Sequence, residues 1–529
     1  MRVGIIDLLL DEVPSRNWLD FAYRVVFKKQ YASITPQAVA VWCRQLGHRV
    51  HYATYYGQRD PGRLLSDELD VIFVSAYTQA SPLAYALAKL YRRKRMLTVI
   101  GGPHAKSFPL DCLRFFDLVV QDCDKALVDD ILRGRFDRGS IVSSGRPLTD
   151  IPGVEERMPE IIASAFVKGR PVVSSTVPLL TSVGCPYTCD FCIDWQNPYT
   201  PLPIERLEAD LRYLSANWPR VMVSYHDPNF AVRFVHILSI MGELPGRTRN
   251  QYIMETSLSV LRGPRLRQLR DTNCIYVAPG IESWTGYSKK SGVGRSAGAD
   301  KLDRLVNHFR LLHSYRLGLQ ANFIFGTDAD HGEGPVELTK EFIRKLPFVW
   351  PVVNVPTPFG GTPLYDACLA EGRLLRSMPF SCYYTPYLVT TLKNYEPIDY
   401  YGKLIEIFSV MTSVDMLRRR LMTRASPGIL ALHVLRTLGM RQDLSTFRRL
   451  REMLATDRHF RAFHDGRSDV LPEFYHQEYE RKLGRYSSLL SRADRMPELD
   501  PPARPADGMA LSECELVEPS EEGARCADA

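Results

Sequence analysis

One short segment of this chain carries the side chains best suited to chemistry. Cys185, Cys189 and Cys192 follow a glycine and are spaced C-x3-C-x2-C. Three thiolates this close together suit three of the four irons of a [4Fe–4S] cluster. The fourth iron then has no nearby protein ligand, so a substrate or cosubstrate can chelate it. The spacing therefore predicts an iron–sulfur cluster with one reactive iron.

Zinc and disulfides are the alternative interpretations of these cysteines. A structural zinc site normally has four ligands, often as two C-x2-C pairs, and the sequence has no second pair of that kind. A disulfide framework does not suit a chain of 529 residues with 11 cysteines, which is an odd number. We therefore predict a cluster-binding loop.

The run from Gly184 to Cys192 resembles the cluster motif of radical S-adenosylmethionine (SAM) enzymes. Phe191 matches the aromatic residue that this family usually carries before the third cysteine. The resemblance implies that the open iron binds the amino and carboxylate groups of SAM. It also implies that an electron from the cluster breaks the sulfonium and gives a 5′-deoxyadenosyl radical.

Polar strand ends after the cysteines resemble the SAM-binding positions of the same family, in the same order along the chain. They contain Asp227 and Asn229 in 221–230, Glu255 in 252–257, Glu282 and Ser283 in 275–283, and Phe325 and Gly326 in 321–328. The segment 355–365 resembles the end of the family's sixth strand. The resemblance implies that Asp227 suits the ammonium group of SAM, and that the backbone at 325–326 contacts the adenine. A carboxylate such as Glu282 suits the ribose diol, because it accepts two hydrogen bonds.

Strand-like and helix-like segments alternate in the first 145 residues and again from the cysteines to about residue 365. In the first part the strand candidates are Val3–Leu10, Arg49–Ala53, Leu69–Ser75, Leu97–Gly101 and Leu118–Gln121, with helices at Thr35–Leu46 and Pro82–Lys94. This order predicts a parallel, doubly wound sheet whose ligands lie at the carboxyl ends of the strands. In the second part the same alternation indicates an α/β barrel, in which the carboxyl ends of all strands open on the same face.

Two strand ends of the first part predict a ligand site. One is rich in hydroxyl groups and contains Ser75, Tyr77 and Thr78, and the other contains Gly101, Gly102, Pro103 and His104. Two glycines after a buried strand let the backbone approach a ligand closely. A domain of this kind before the cysteine motif resembles the cobalamin-binding domain of B12-dependent radical SAM enzymes.

The sequence departs from the cobalamin-binding pattern at two points. It lacks the D-x-H-x-x-G motif that supplies an axial histidine, and Gln121–Asp124 replaces the family's Gly-Glu-rich turn. A Rossmann-like unit without a cofactor is the alternative. Methylthiotransferases of the same superfamily bind a second cluster through three N-terminal cysteines, and Cys43, Cys112 and Cys123 raise that alternative. Cys43 and Cys112, however, lie in helix-like stretches, where buried cysteine is common.

The predicted fold class is α/β, and the chain divides into three folded domains, a linker and a tail. They are a Rossmann-like cobalamin-binding domain (1–145), a linker (146–174), a radical SAM core built as a partial (β/α)6 barrel (175–395), a helical C-terminal cap (396–495) and a disordered acidic tail (496–529). Apolar residues recur every three to four positions in the cap, which indicates amphipathic helices, whereas the tail lacks periodicity. The tail carries nine acidic and two basic residues, which leaves 65 basic and 51 acidic residues in 1–495. This excess favours an anionic ligand or surface, or else a solvated basic helical face.

The resemblance implies a cobalamin-dependent radical SAM enzyme, and in the first place a methyltransferase that acts on an unactivated carbon. In such enzymes the 5′-deoxyadenosyl radical abstracts a substrate hydrogen, and methylcobalamin supplies the methyl group. The alternatives are a cobalamin-dependent radical cyclase or rearrangement enzyme, and a non-catalytic cobalamin- or cluster-binding sensor.

We expect a cytoplasmic protein that acts on a small-molecule or lipid-like substrate. The N-terminal segment carries Asp7 and no cleavage site typical of a signal peptide. No apolar run reaches the roughly 20 residues of a transmembrane segment. The resemblance implies an electron donor such as flavodoxin or ferredoxin, and no nucleic-acid partner is expected.

Overall fold

The chain begins with a six-stranded parallel sheet, the first sheet. In the computed structural model, which describes residues 1–12, 33–145, 148–172, 174–230, 233–287 and 296–502, its strands are β1 (Arg2–Leu8), β2 (Arg49–Tyr55), β3 (Val71–Ala76), β4 (Leu97–Gly101), β5 (Leu118–Val120) and β6 (Ser140–Val142). Their order across the sheet is β2-β1-β3-β4-β5-β6. The order reverses between β1 and β3, where doubly wound sheets place their ligands.

Helices cover both faces of the first sheet, so its strands are almost continuous apolar runs. They are α1 (Ile34–Gln45), α2 (Ser81–Arg93), α3 (Pro103–Ser107), α4 (Pro109–Leu113) and α5 (Lys125–Leu132), with 3-10 turns at Pro61–Arg63 and Thr78–Ala80. On one face Trp42 of α1 packs with Phe73 and Val99, and on the other face Leu87 of α2 packs with Ile100. Cys43 and Cys112 are both fully buried, as predicted from their helical setting.

The second sheet also has six parallel strands, and they lie side by side in their order along the chain. They are β7 (Thr176–Leu179), β10 (Met222–Tyr225), β11 (Tyr252–Thr256), β12 (Cys274–Glu282), β13 (Gly318–Ile324) and β14 (Val349–Asn354), and β8 (Ser182–Val183) pairs with β9 (Thr200–Pro201) in a short antiparallel ribbon. The connecting helices are α7 (Ile204–Asn217), α8 (Phe234–Glu243), α9 (Arg265–Asp271), α10 (Gly298–Ser314) and α11 (Gly334–Lys345). The predicted α/β class is confirmed, and the curvature of this sheet into part of a barrel stays a prediction.

A helix within the predicted linker, α6 (Val154–Ala165), packs between the two sheets. Its Arg157 is buried and donates to Gln37 Oε1 of α1 (2.8 Å) and to Pro178 O of β7 (3.2 Å). Burial lowers the pKa of the Arg157 guanidinium to about 10. One buried side chain therefore ties an element of the first sheet to a strand of the second.

The last third of the described chain is helical, as the sequence predicts. It contains α12 (Pro363–Ala370), α13 (Pro397–Met411), α14 (Val414–Leu421), α15 (Pro427–Thr456), α16 (Arg458–His464) and α17 (Glu473–Leu483), with 3-10 turns at Phe380–Cys382, Gly484–Leu489 and Ala493–Arg495. None of the helices in the described ranges is long and apolar enough to cross a membrane.

Residues 496–502 belong to the predicted disordered tail, yet they pack against the folded chain. Asp500 is buried, its carboxylate accepts from Leu110 N (3.2 Å), and its carbonyl accepts from Tyr365 OH (2.7 Å). Arg114 donates to Met496 O (2.8 Å). The prediction that disorder begins at residue 496 is wrong for these residues, because hydrogen bonds from the folded chain hold them. Residues 503–529 lie outside the described residues.

Candidate functional site

The predicted cluster ligands lie on the cysteine loop, residues 184–198, between β8 and β9. The loop begins at Gly184 (φ +70°), where a Cβ atom would lie 2.2 Å from Pro198 O. Cys185 N donates to Asn197 O (3.3 Å), which closes the base of the loop. Cys185, Cys189 and Cys192 are all partly exposed, and none forms a disulfide. The loop therefore presents three thiols on one closed turn.

This donor set fits an iron–sulfur cluster better than a single ion. Within the described ranges, no three His, Cys, Asp or Glu side chains converge on one metal ion. A structural zinc ion needs four ligands at about 2.0–2.3 Å. A cluster of four irons is much larger than one ion, so its three thiolates stay further apart.

Asp227, at the end of β10, holds the segment that leads into the cysteine loop. Its buried carboxylate accepts hydrogen bonds from Thr181 N (3.0 Å), Ser182 N (2.8 Å) and Ser182 Oγ (2.9 Å). Burial raises the pKa of Asp227 to about 6, and the donors of residues 181–182 oppose that shift. The predicted position of Asp227 was at the ammonium group of SAM. In the structure the carboxylate binds residues 181–182, which lead into the cysteine loop, and its contact with SAM stays a prediction.

Three other predicted SAM contacts also point into the fold. Asn229 Oδ1 accepts from Ser257 N (2.8 Å), which joins the end of β10 to the segment after β11. Ser283 Oγ donates to Asp330 Oδ1 (2.8 Å), and Phe325 is buried. The side chains of Asn229 and Ser283 therefore connect neighbouring strand ends, and the predicted backbone contact of Phe325 with the adenine stays a prediction.

A cavity of about 600 Å³ lies at the carboxyl-terminal half of the strands of the second sheet, and we call it the second cavity after that sheet. Side chains of a strand alternate between faces, so alternate residues of three strands line this cavity. They are Ala278, Gly280 and Glu282 of β12, Gln320, Asn322 and Ile324 of β13, and Val352 and Asn354 of β14. Intervening residues such as Val277 and Phe323 are buried in the hydrophobic core. The volume is in the range of roughly 300–1,000 Å³ that small-molecule sites occupy.

Four predicted cofactor contacts, Phe191, Glu255, Glu282 and Gly326, line the second cavity together. The ring of Phe191 stacks on the ring of Tyr287, with 6.0 Å between centroids. The carboxylates of Glu255 and Glu282 suit a cosubstrate with an ammonium group and hydroxyl groups, because carboxylates accept charge-assisted hydrogen bonds. The cavity and its polar groups therefore fit SAM.

Lys301 of α10 holds the strand end that presents Glu282. Glu282 has φ +65°, which is uncommon for a residue with a side chain. The Lys301 ammonium group donates to the carbonyl groups of Ser283 and Thr285, the latter at 3.1 Å. Burial lowers the pKa of Lys301 to about 8, and Glu282 opposes that shift. The sequence did not single out Lys301, because a lysine on an amphipathic helix is usually solvated.

The opposite wall of the second cavity comes from residues 355–392, and it combines apolar and aromatic side chains with Arg373 and three threonines. Phe359, Leu364, Tyr383, Tyr384 and Leu392 contribute to it. The Tyr384 hydroxyl accepts from Lys482 Nζ of α17 (2.8 Å), and the same ammonium group pairs with Asp11 after β1 (2.6 Å). Sequence reasoning missed this buried ion pair, since its partners are more than 400 positions apart.

The first cavity, of about 260 Å³, lies at the carboxyl ends of β3 and β4. Its rim contains four residues that the sequence predicted as cobalamin contacts, namely Ser75, Gly101, Gly102 and Pro103. Its interior is apolar and is lined by Val39, Phe73, Val99, Val128 and Ile131. A Cβ atom on Gly101 would meet no atom closer than Val120 O at 3.8 Å, so the cavity is open at this glycine.

The other predicted cobalamin contacts, Tyr77, Thr78 and His104, do not line the first cavity. Helix α3 begins at Pro103 and turns the next residue inward, so His104 is fully buried and bonded to Tyr85 OH (2.6 Å). Burial lowers the pKa of His104 to about 3, which keeps the ring neutral. His104, predicted as a cobalamin contact, therefore points into the fold rather than into the first cavity.

The first cavity fits part of a corrinoid rather than the whole molecule. Its volume lies below the roughly 300 Å³ at the lower end of drug-sized sites, and cobalamin is larger than a typical drug. An apolar slot beside two glycines suits a flat ring of the corrinoid. The rest of the corrinoid would then lie above the strand ends.

The cysteine loop lies between the two cavities. Phe191 lines the second cavity and Ile193 lines the first, and only Cys192 separates them in sequence. Lys106, on the rim of the first cavity, donates to Asn197 Oδ1 at the end of the loop (3.2 Å). Neither Ile193 nor Lys106 was singled out from the sequence, because an isolated apolar or basic residue near a motif carries no pattern.

Comparisons with known proteins agree with this geometry. No protein-family model matches the chain. The chain is 24% identical over 312 residues to bacteriochlorophyllide d C-12(1)-methyltransferase of Chlorobaculum tepidum, which covers 56% of this chain and 65% of that protein. It is also 24% identical over 378 residues to bacteriochlorophyllide d C-8(2)-methyltransferase of the same organism, with coverage of 67% and 80%. The chain thus spans slightly less than two thirds of the first relative and four fifths of the second.

Two solved structures share the fold at 12% sequence identity. The cobalamin-dependent S-adenosylmethionine radical enzyme OxsB has a TM-score of 0.56, with 92% of this chain and 80% of that chain covered. The radical S-adenosylmethionine methyltransferase TsrM of Kitasatospora setae has a TM-score of 0.53, with 85% and 99% covered. These likenesses confirm the predicted fold.

Proposed function

We propose that this chain, which has the fold of cobalamin-dependent radical SAM enzymes and relatives among methyltransferases, transfers a methyl group to a carbon atom of its substrate. The observation that carries the proposal is the position of the cysteine loop. Phe191 faces the second cavity and Ile193 faces the first. Cofactors held in the two cavities would meet at this loop, which suits a reaction that combines two cofactors.

Three groups of residues would hold the cofactors. Cys185, Cys189 and Cys192 would bind the cluster, the second-cavity residues Phe191, Glu255, Glu282 and Gly326 would contact SAM, and Ser75, Gly101, Gly102 and Pro103 would seat cobalamin. When bound, the cluster and SAM supply a 5′-deoxyadenosyl radical, and cobalamin supplies the methyl group. This assignment rests on which side chains line each cavity.

The chain's remaining site residues would position these groups and exclude water. Asp227 fixes the start of the cysteine loop through residues 181–182, and Lys301 fixes the backbone after Glu282. The aromatic wall that includes Phe359 and Tyr383 covers the second cavity. A dry cavity protects a radical from side reactions with solvent.

We propose a substrate with a largely apolar carbon skeleton. The wall formed by residues 355–392 offers rings and aliphatic side chains such as Phe359, Leu364 and Leu392, beside the polar groups of Arg373 and three threonines. Substrate bound against this wall would therefore lie opposite SAM. The relatives are named for bacteriochlorophyllide d, which agrees with a large organic substrate.

The cluster needs an electron, and we propose a flavodoxin or ferredoxin as its donor. We also propose the cytoplasm as the place of action, because three partly exposed thiols and an oxygen-labile cluster need a reducing compartment. Reduction of the reconstituted protein by a purified flavodoxin, followed as loss of the cluster's visible absorbance, tests the first point.

The experiment for the proposed function follows a deuterated methyl group. Protein reconstituted anaerobically with iron, sulfide and hydroxocobalamin is mixed with a reductant and SAM that carries a CD3 group. We expect 5′-deoxyadenosine among the products and CD3 on the corrinoid, both detected by mass spectrometry. Absence of label from the corrinoid in protein that cleaves SAM would contradict a methyltransferase, and would favour the cyclase or rearrangement alternative.

A matched pair of cysteine variants serves as the control. Cys189→Ala should abolish SAM cleavage, because it removes a cluster ligand, but should leave the corrinoid bound. Cys43→Ala should behave as the parent protein does, because Cys43 is buried in α1. Equal SAM cleavage in both variants would contradict the role of the loop.

A further inference from the structure

The long helix α15 has two different outer faces. Its inner face is buried from His433 to Leu454. In its second half the outer face is polar, with Gln442, Ser445, Arg449 and Glu452 exposed. In its first half the outer face is apolar, because Leu435 is 40% exposed and Leu438 is 53% exposed. The outer face of a surface helix is normally polar, so the first half departs from the rule.

The end of the neighbouring helix α14 adds two more exposed apolar side chains. Leu421 is 46% exposed and Met422 is 68% exposed. The preceding Arg420 donates to Thr437 Oγ1 of α15 (3.3 Å), and Thr437 is the neighbour of Leu438. The end of α14 and the first half of α15 therefore pack side by side, and both carry exposed apolar side chains. We call this region the arginine–leucine surface: Leu421, Met422, Leu435 and Leu438, with the exposed arginines Arg418, Arg424 and Arg441.

The charge of the arginine–leucine surface has one sign. Between Asp415 and Asp443 the sequence has six arginines and no acidic residue. Four of these arginines contact the fold. Arg420 lies over the ring of Trp350 (4.5 Å) and Arg436 over the ring of Tyr276 (5.5 Å). Arg419 donates to Arg344 O, and Arg441 donates to Thr412 O (3.3 Å). The exposed arginines remain as positive charge around the apolar side chains, which matches an anionic partner.

This surface faces away from the candidate active site. Helix α15 packs at the amino ends of the strands, where Ile429 lies against Gly318, the first residue of β13. Trp350, which contacts Arg420, is the second residue of β14. The second cavity lies toward the carboxyl ends of the same strands. A partner on the arginine–leucine surface would therefore leave the cavities open.

We propose that the arginine–leucine surface docks on the surface of an anionic phospholipid bilayer. The leucine and methionine side chains enter the boundary between headgroups and acyl chains, and the arginines bind lipid phosphates. A bilayer suits this surface better than a protein does, because the exposed apolar residues are flexible aliphatic chains, whereas protein interfaces are anchored by buried Trp and Tyr. The proposal goes beyond the proposed function and does not depend on it.

Vesicle flotation of the full-length, reconstituted protein tests the proposal. One vesicle population is pure phosphatidylcholine and the other contains a third phosphatidylglycerol. We expect flotation with the anionic vesicles, and loss of flotation at high salt. Leu435→Ser combined with Leu438→Ser, and separately Arg418→Gln combined with Arg424→Gln, should each weaken binding by about tenfold or more. Thermal unfolding and SAM cleavage should match the parent protein, which shows that the variants fold.

Matched controls lie elsewhere on the surface. Val470→Ser removes an apolar side chain that is 78% exposed, and Arg247→Gln combined with Arg262→Gln removes two exposed arginines. Both controls should bind vesicles as the parent protein does. Absence of flotation, equal flotation with neutral vesicles, or equal weakening by the controls would each overturn the proposal. A dimer in light scattering that becomes monomeric in the leucine variant, without a change in flotation, would assign the surface to a second copy of the chain and would also overturn it.

Discussion

Replacing Gly184 by alanine should unload the cluster by distorting the cysteine loop without removing a ligand. The left-handed conformation at φ +70° costs a residue with a side chain about 1–2 kcal/mol. In addition, the new Cβ atom would lie 2.2 Å from Pro198 O and 2.6 Å from Asn197 O, whereas ordinary van der Waals contact begins near 3.4 Å. The backbone at 197–198 must therefore move, and the Cys185 N to Asn197 O bond opens. Overpacking of this kind costs about 1–3 kcal/mol.

Together these terms give about 3 kcal/mol against the loop geometry, or roughly a 100-fold loss in cluster affinity. The assay is iron and sulfide content per protein after anaerobic reconstitution with limiting iron. Gly134→Ala is the matched control, because Gly134 also has φ +70° but has no atom near the position of an added Cβ. It should lose about 1–2 kcal/mol of stability and keep its cluster. Equal cluster loading in the two variants would refute the reasoning.

Three further predictions concern the first sheet and the end of the chain. Gly101→Phe should abolish corrinoid absorbance in the purified protein, because the phenyl ring would fill the first cavity, whereas Gly101→Ala should fold normally. Corrinoid retained by the phenylalanine variant would contradict binding in the first cavity. His104 has a pKa of about 3 in the folded protein and about 6.5 in the unfolded chain. Between these two pH values the unfolded state binds more protons than the folded state. The free energy of unfolding therefore falls by about 1.4 kcal/mol per pH unit as the pH drops below about 6.5. Urea unfolding at about pH 7.5 and about pH 5.5 should show a smaller acid loss for His104→Gln, and an unchanged loss would contradict the buried neutral ring. Deletion of 503–529 should leave the melting temperature unchanged, while deletion from 496 should lower it by a few degrees, because the contacts of Asp500 and Met496 are lost; equal melting of the two truncations would mean that these contacts contribute nothing.

The alternation of apolar strands and amphipathic helices made most of the first sheet predictable. The predicted strand at Leu97–Gly101 has the same bounds in the structure, and the helix predicted at Thr35–Leu46 begins and ends within one residue of α1. Strand β6 (Ser140–Val142) was not predicted, because three residues are too few to show a period of two.

Parts of the candidate site that depend on the backbone, such as glycines at strand ends, were predictable from the sequence. Parts that depend on the direction of a side chain were less predictable. The paired glycines at 101–102 border the first cavity, as their strand-end position predicts. Asp227 and Ser283 have the expected residue type at the expected strand ends, yet they hydrogen-bond to Ser182 and Asp330, and neither lines the second cavity. A one-dimensional motif specifies where a strand ends, and the neighbouring loops decide which way its last side chains point.

The central claim is that the cysteine loop brings the cluster and cobalamin together, and magnetic coupling between them tests it most directly. Protein that holds both cofactors is reduced until the cluster and cob(II)alamin are both paramagnetic, and its EPR spectrum is recorded beside samples that hold only one. The account predicts split or broadened signals that are absent from the sum of the single-cofactor spectra, because Phe191 and Ile193 face different cavities on either side of Cys192. A spectrum equal to that sum, in protein with both sites filled, would contradict the account.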